Sequence, residues 1–139
     1  MREPVDPPKR RRKKALLLIS DEPTSRYFIK AVLARTRYTI IEATTGREGL
    51  GLALTGWPSV IVLDLVMPGI TELEVVNELK SNSATRNIPV ILITFRSITP
   101  NEQEWFFSQS VTVLSKSTLD SVVLRQAVRR ATRTSNSSA

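Results

Sequence analysis

Val60-Ile61-Val62-Leu63-Asp64 runs four aliphatic residues straight into an acid, and Leu65-Val66-Met67-Pro68-Gly69 turns the chain immediately afterwards. A short stretch with no polar residue to show to water reads as a strand buried on both faces, the habit of a parallel sheet covered by helices. Such sheets bind their ligands outside the carboxyl ends of the strands, so Asp64 stands where chemistry is done. Aspartate is also a common turn opener, and taken alone the residue supports either reading.

Four further apolar runs flank this one: Ala15 to Ile19, Tyr38 to Ala43, Val90 to Ile93 and Val111 to Leu114. Each interval between them has room for one helix and short loops, the pattern of right-handed βαβ crossovers. The expected fold is an α/β, three-layer (βα)5 flavodoxin-like domain with a parallel five-stranded sheet of order 2-1-3-4-5. Thr39 and Glu42 in the second run and Thr112 in the fifth mark these two as the edges. Helix starts are predicted by capping boxes at Thr45 to Glu48, Thr71 to Glu74 and Thr99 to Glu102, with a weaker one at Ser117 to Asp120 and Pro23 opening the first helix. The inward stripes are expected to be Phe28, Ala31, Val32 and Arg35; then Leu50, Ala53 and Leu54; then Leu73, Val76 and Leu79; and last Val123, Leu124, Ala127, Val128 and Ala131.

With 139 residues, the chain suits one domain with a full core. It holds no cysteine, which removes disulfides and thiolate metal sites and fits the reducing cytoplasm. It holds no histidine either, which removes the usual general base, imidazole zinc ligation and any phosphohistidine on this chain. Residues 1–14 carry +5 of the net +7, in the run Lys9-Arg10-Arg11-Arg12-Lys13-Lys14. They read as a disordered basic arm, 15–133 as the folded domain and 134–139 as a flexible tail. The arm could touch phosphate-rich partners, but no aromatic residue is interleaved for stacking on bases, so nucleic-acid binding is not expected. The apolar run after the arm is too short for a secretion signal, and no window approaches the ~18 apolar residues of a membrane span.

In a 2-1-3-4-5 sheet the tips of strands 1, 3, 4 and 5 line one edge, and they carry Asp21 with Glu22, Asp64, Thr94 and Lys116. Neighbouring carboxylates repel unless a cation or a proton intervenes, and hard oxygen ligands favour Mg²⁺. Lys116 and the Thr94 hydroxyl suit a tetrahedral anion such as phosphoryl. Here the chain resembles the receiver domain of two-component response regulators over about residues 15 to 132. The likeness rests on Leu17-Leu18-Ile19-Ser20-Asp21-Glu22-Pro23, Asp64-Leu65-Val66-Met67-Pro68-Gly69, Pro89-Val90-Ile91-Leu92-Ile93-Thr94 and Leu114-Ser115-Lys116. The resemblance implies that Asp64 accepts a phosphoryl group from a histidine kinase or phosphotransfer protein. It further implies Mg²⁺ held by Asp21, Asp64 and the Val66 backbone carbonyl, with Lys116 and Thr94 on the phosphoryl group. The output surface would be helix 4, strand 5 and helix 5, touching a downstream protein target. Self-association as a homodimer is left open, and the chain would be a phosphoacceptor signalling protein rather than an enzyme.

Several residues depart from the family pattern. Ser20 stands in the first of two acidic positions, Phe95 follows Thr94 where a small residue is usual, and Val113 replaces an aromatic switch residue. Ser117 replaces a proline, so the bond after Lys116 is expected to be trans. Glu72 and Gln109 stand where glycine is frequent. Of Trp105-Phe106-Phe107, at least one ring must be exposed on a helix of 3.6-residue period, and Arg125, Arg129, Arg130 and Arg133 could add a basic edge. These departures favour an alternative, a degenerate pseudo-receiver that binds protein without being phosphorylated. A phosphohydrolase with Asp64 as nucleophile is disfavoured, because Val66 stands where such enzymes need a second acid.

Overall fold

The computed structural model describes residues 14–66 and 70–137, with side chains through residue 132. Residues 1–13 of the expected basic arm, and Met67-Pro68-Gly69 of the loop after Asp64, lie outside the described residues. The elements alternate throughout: β1 (Ala15–Ser20), α1 (Pro23–Leu33), β2 (Thr39–Ala43), α2 (Gly46–Thr55), β3 (Val60–Asp64), α3 (Glu72–Ser81), β4 (Val90–Thr94), α4 (Pro100–Ser108), β5 (Val111–Ser115) and α5 (Ser121–Ser137). All strand pairs are parallel and the order is β2-β1-β3-β4-β5, as the apolar runs predict. Among the described residues, no helix is long and apolar enough to cross a membrane.

Period-two alternation divides the central strands between two cores. Leu17, Ile19, Ile61, Leu63, Val90 and Leu92 face Ala53, Val75, Val76, Leu79 and Phe106 on one side. Leu16, Leu18, Val60, Val62, Ile91 and Ile93 face Ile29, Val32, Leu33, Leu124, Ala127 and Val128 on the other. This double burial is why β1, β3 and β4 carry no interior polar residue, whereas the edge strands β2 and β5 are only partly buried and carry Glu42 and Thr112. The register pairs Ser20 with Asp64 and Thr94 with Ser115, which brings the strand tips to one level.

Thr71 and Thr99 each form a reciprocal capping box, with Glu74 and Glu102. The Thr45 box is half made: its hydroxyl accepts from the Glu48 N–H, but Glu48 bonds the Thr44 N–H rather than the cap's own. The fifth helix begins later than expected. Asp120 is its cap, accepting from the Val123 N–H at 2.8 Å, because Ser117 and Thr118 are taken up in a turn. It runs on to Ser137. Just before β1, the Lys14 carbonyl accepts from the Thr39 N–H.

Two stripes need correction. On α1, Ile29, Val32 and Leu33 are buried whereas Phe28, Ala31 and Arg35 are exposed. On α2, Gly46, Gly49 and Ala53 face inward and Leu54 is exposed. Glycine is required at position 49 because a Cβ there would collide with the Ile19 side chain, so α2 lies close against β1. On α5, Val123 stands at the exposed flank of an otherwise correct stripe. Of the three aromatics on α4, Phe106 is buried, edge-on to the partly exposed Trp105, and Phe107 is 83% exposed. The Lys116–Ser117 bond is trans, and the positive φ before β5 falls on Ser110 (60°) rather than on Gln109.

Two measurements follow from this packing. Gly49→Ala is expected to cost about 1–3 kcal/mol by overpacking, whereas Gly51→Ala, with open space around its Cβ, gains about 0.4–1 kcal/mol; urea unfolding of both decides. Lys80 donates to the carbonyls of Arg86 and Ile88 at 3.0 and 2.8 Å, and burial pushes its pKa down from 10.5 to about 8. Between those values the unfolded chain binds the extra proton, so stability rises with pH there. Wild type should therefore gain stability over Lys80→Met as pH climbs from about 8 to 10.5, read from paired denaturation curves.

Candidate functional site

Ser20, fully buried, ends β1, and its carbonyl accepts from Arg26 Nη1 at 2.9 Å. The next two residues divide the labour between helix and site. Glu22 caps α1, its carboxylate accepting from the N–H groups of Ser25 (2.6 Å) and Thr24 (3.2 Å), and the Ser25 bonds hold its pKa below the usual carboxylate value. Asp21 instead reaches across to the loop after β3, where Oδ1 accepts from the Val66 N–H at 2.9 Å. That places the acid of β1 beside the backbone that follows Asp64.

Asp64 is 0% exposed. Its Oδ1 accepts from Lys116 Nζ at 2.7 Å and its Oδ2 from Ser20 Oγ at 3.3 Å. A buried carboxylate demands such a partner, since an unpaired charge out of water costs several kcal/mol. Lys116 follows β5 and its own N–H bonds the Thr94 carbonyl at 2.8 Å, which fixes the lysine stem against β4. The Phe95 ring, two-thirds exposed, lies 5.4 Å from Lys116 Nζ, a cation–π distance. Phe95 thus stands at the mouth of the site, where its place after Thr94 predicts it.

Thr94 carries the least expected contact. Its hydroxyl donates to Glu72 Oε1 at 2.9 Å and accepts from the Arg96 N–H at 3.0 Å. Burial raises the Glu72 pKa, with the Asp64 charge adding to it and the Thr94 bond and Arg96 opposing it. Arg96 is shared, its Nε 3.9 Å from Glu72 and its Nη1 3.0 Å from Glu102 at the start of α4.

Asp64, Val66, Thr94 and Lys116 therefore line one cleft of about 170 Å³, together with Glu72 and Phe95. Asp21 does not line it but is tied to its rim through the Val66 amide. Among the described residues no three His, Cys, Asp or Glu side chains converge as metal ligands. The hard-oxygen pair Asp21 and Asp64 nonetheless has the donor chemistry Mg²⁺ takes, short of one charge because Ser20 is not an acid. Sequence reasoning missed Arg26 and Arg96, and marked Glu72 only as standing where glycine is frequent.

Residues 16–129 match the family model described as the response regulator receiver domain. The chain belongs to that family. As a receiver it is 33% identical to Protein PilH of Pseudomonas aeruginosa over 77 residues, which is 55% of this chain and 64% of that protein. It is 31% identical to the response regulator PleD of Caulobacter vibrioides over 116 residues, 84% of this chain and 25% of that protein. The chain thus spans less than two thirds of either relative. Among solved structures, the receiver domain of a histidine kinase from Syntrophus aciditrophicus superposes with TM-score 0.73 at 27% identity, covering 86% of this chain and 90% of that one. Receivers are signalling domains that work with histidine kinases or phosphotransfer partners, and they generally bind Mg²⁺ where they are phosphorylated.

The ion pair at the floor of the receiver cleft is expected to be stabilising. Lys116→Met should cost about 3–5 kcal/mol, because among the described residues it leaves the buried Asp64 with the long Ser20 bond alone. Ser20→Ala should cost less than about 1 kcal/mol, and urea unfolding of both variants checks the ranking.

Proposed function

We propose that this receiver takes a phosphoryl group onto Asp64 from a phosphohistidine of a kinase or phosphotransfer protein and passes the signal on by protein contact. The observation that carries the reading is the pairing of the fully buried Asp64 with Lys116 at 2.7 Å, in a cleft also lined by Thr94. An Asp64 oxygen attacks phosphorus, the P–N bond of the donor breaks, and the imidazole nitrogen keeps the electron pair. A carboxylate is a modest nucleophile, so positioning and charge neutralisation do most of the work. Lys116, already on Oδ1, is placed to follow the growing negative charge onto the phosphoryl oxygens, and Thr94 supplies a hydroxyl donor. Mg²⁺ held by Asp21, Asp64 and the Val66 carbonyl would supply the remaining neutralisation.

The protein acts in the cytoplasm on this reading, and it catalyses at most its own phosphorylation and dephosphorylation. Its output face is α4, β5 and α5, where Trp105 and Phe107 are exposed and Arg129 and Arg130 face outward. The side chain of Arg133 lies outside the described residues.

One observation favours a second reading. The Thr94 hydroxyl is already engaged by Glu72, as in a receiver that no longer waits for a phosphoryl group and binds its partner constitutively. A single assay separates the two. With Mg²⁺ and excess acetyl phosphate, intact mass should show one phosphoryl adduct on wild type that disappears without Mg²⁺ and in Asp64→Asn. No adduct on wild type, under conditions that load another receiver, would sink the first reading in favour of the second.

A further inference from the structure

Glu72 is the first residue of α3, where a carboxylate ordinarily faces water and complements the helix dipole. Here it has no capping duty, because Thr71 and Glu74 complete the box between themselves. Its side chain is 13% exposed and turned into the cleft, with Oε1 on the Thr94 hydroxyl. A hydroxyl has one proton to donate, and that of Thr94 is spent on Glu72. Any other anion in the cleft must compete for it.

We propose that Glu72 is an internal occupant of the anion subsite: its carboxylate holds the Thr94 hydroxyl that a phosphoryl group on Asp64 would use, and loading of Asp64 requires its displacement. The proposal rests on Asp64 being the phosphoacceptor. Around Glu72 stand Asp64 from β3, Thr94 from β4, Lys116 after β5 and Arg96 from the segment before α4. The two cations do not cancel the cost of a third anion. Lys116 is committed to Asp64, and Arg96 is nearer to Glu102 (3.0 Å) than to Glu72 (3.9 Å). An incoming phosphoryl dianion therefore meets like charge from Glu72 as well as a hydroxyl already taken. Thr94 and Arg96, for their part, are held by an anion before any phosphoryl group arrives.

The test compares the loading rates of wild type, Glu72→Gln, Glu72→Gly and Glu72→Asp with acetyl phosphate and Mg²⁺, followed by intact mass, with Asp64→Asn as control. Glu72→Gly should load about tenfold faster than wild type and Glu72→Gln, which loses the charge but keeps an oxygen that accepts from Thr94, should fall between the two, while Glu72→Asp, which keeps the charge, stays close to wild type. In a Thr94→Ala background the gain from Glu72→Gly should shrink several-fold, because the contested hydroxyl is gone. A gain undiminished in that background overturns the shared-hydroxyl proposal, since it reduces Glu72 to background charge. Equal rates in Glu72→Gln, Glu72→Gly and wild type overturn the proposal outright while leaving Asp64 as the phosphoacceptor. Absence of an adduct in every variant removes both together. Urea unfolding of Glu72→Gln, the near-isosteric change, identifies a rate difference that comes only from lost stability.

Discussion

A carboxylate with no exposure is the constraint on which this molecule turns. Asp64 has left water entirely, and it remains tolerable because Lys116 is within 2.7 Å. That pairing joins residues 52 apart in sequence, so it exists only if β3, β4 and β5 lie side by side in register. The sheet provides this through strands that are apolar on both faces and whose side chains alternate between two cores. Stability and chemistry thus make one demand, that the carboxyl ends of the central strands stop at the same level.

The division of the strand tips among different tasks has the same logic. Two consecutive acids follow β1, and local geometry sends them in opposite directions. Glu22 satisfies the first N–H groups of α1, which otherwise lack partners. Asp21 crosses to the Val66 amide and braces the loop that carries the chain out of β3. One residue thereby opens a helix while its neighbour shapes the site.

The strand order and the identity of the residues at its edge were legible in the amino-acid sequence because both follow from strong, local signals. Uninterrupted aliphatic runs admit few alternatives, and Thr71 with Glu74 or Thr99 with Glu102 announces a helix whatever surrounds it. Helix faces were less legible. Phe28 and Ile29 are adjacent apolar residues about 100° apart on the helix, and only the position of the sheet decides that Ile29 goes in. On α2 the inward residues include Gly46 and Gly49, which carry no hydrophobic signal; Gly49 lets the helix approach Ile19 and Gly46 lets it approach Ile70 and Val75. The direction of Glu72 was illegible for a different reason. Beside Glu74 at a helix start it reads as a dipole residue, and its contact with Thr94, 22 residues away, appears only when α3 is set beside β4.

That contact also bears on how a change at the cleft reaches the rest of the molecule. Val113 is a half-buried aliphatic residue packed on the core, so no ring is there to rotate with Thr94. A polar route stands in its place. Glu72 bonds the Thr94 hydroxyl, which accepts from the Arg96 N–H, and the Arg96 guanidinium pairs with Glu102. Glu102 in turn closes the capping box of α4 by accepting from the Thr99 N–H at 3.0 Å. Four consecutive contacts therefore run from the first residue of α3 to the start of α4, with Arg96 in the middle. Arg96 lies 3.9 Å from Glu72, and its nearer partner Glu102 stands at the head of the helix that displays Trp105 and Phe107. Coupling through such a chain needs an element with two arrangements rather than mere adjacency. Arg96, placed between two carboxylates at 3.0 and 3.9 Å, is where the two halves of this run of contacts meet.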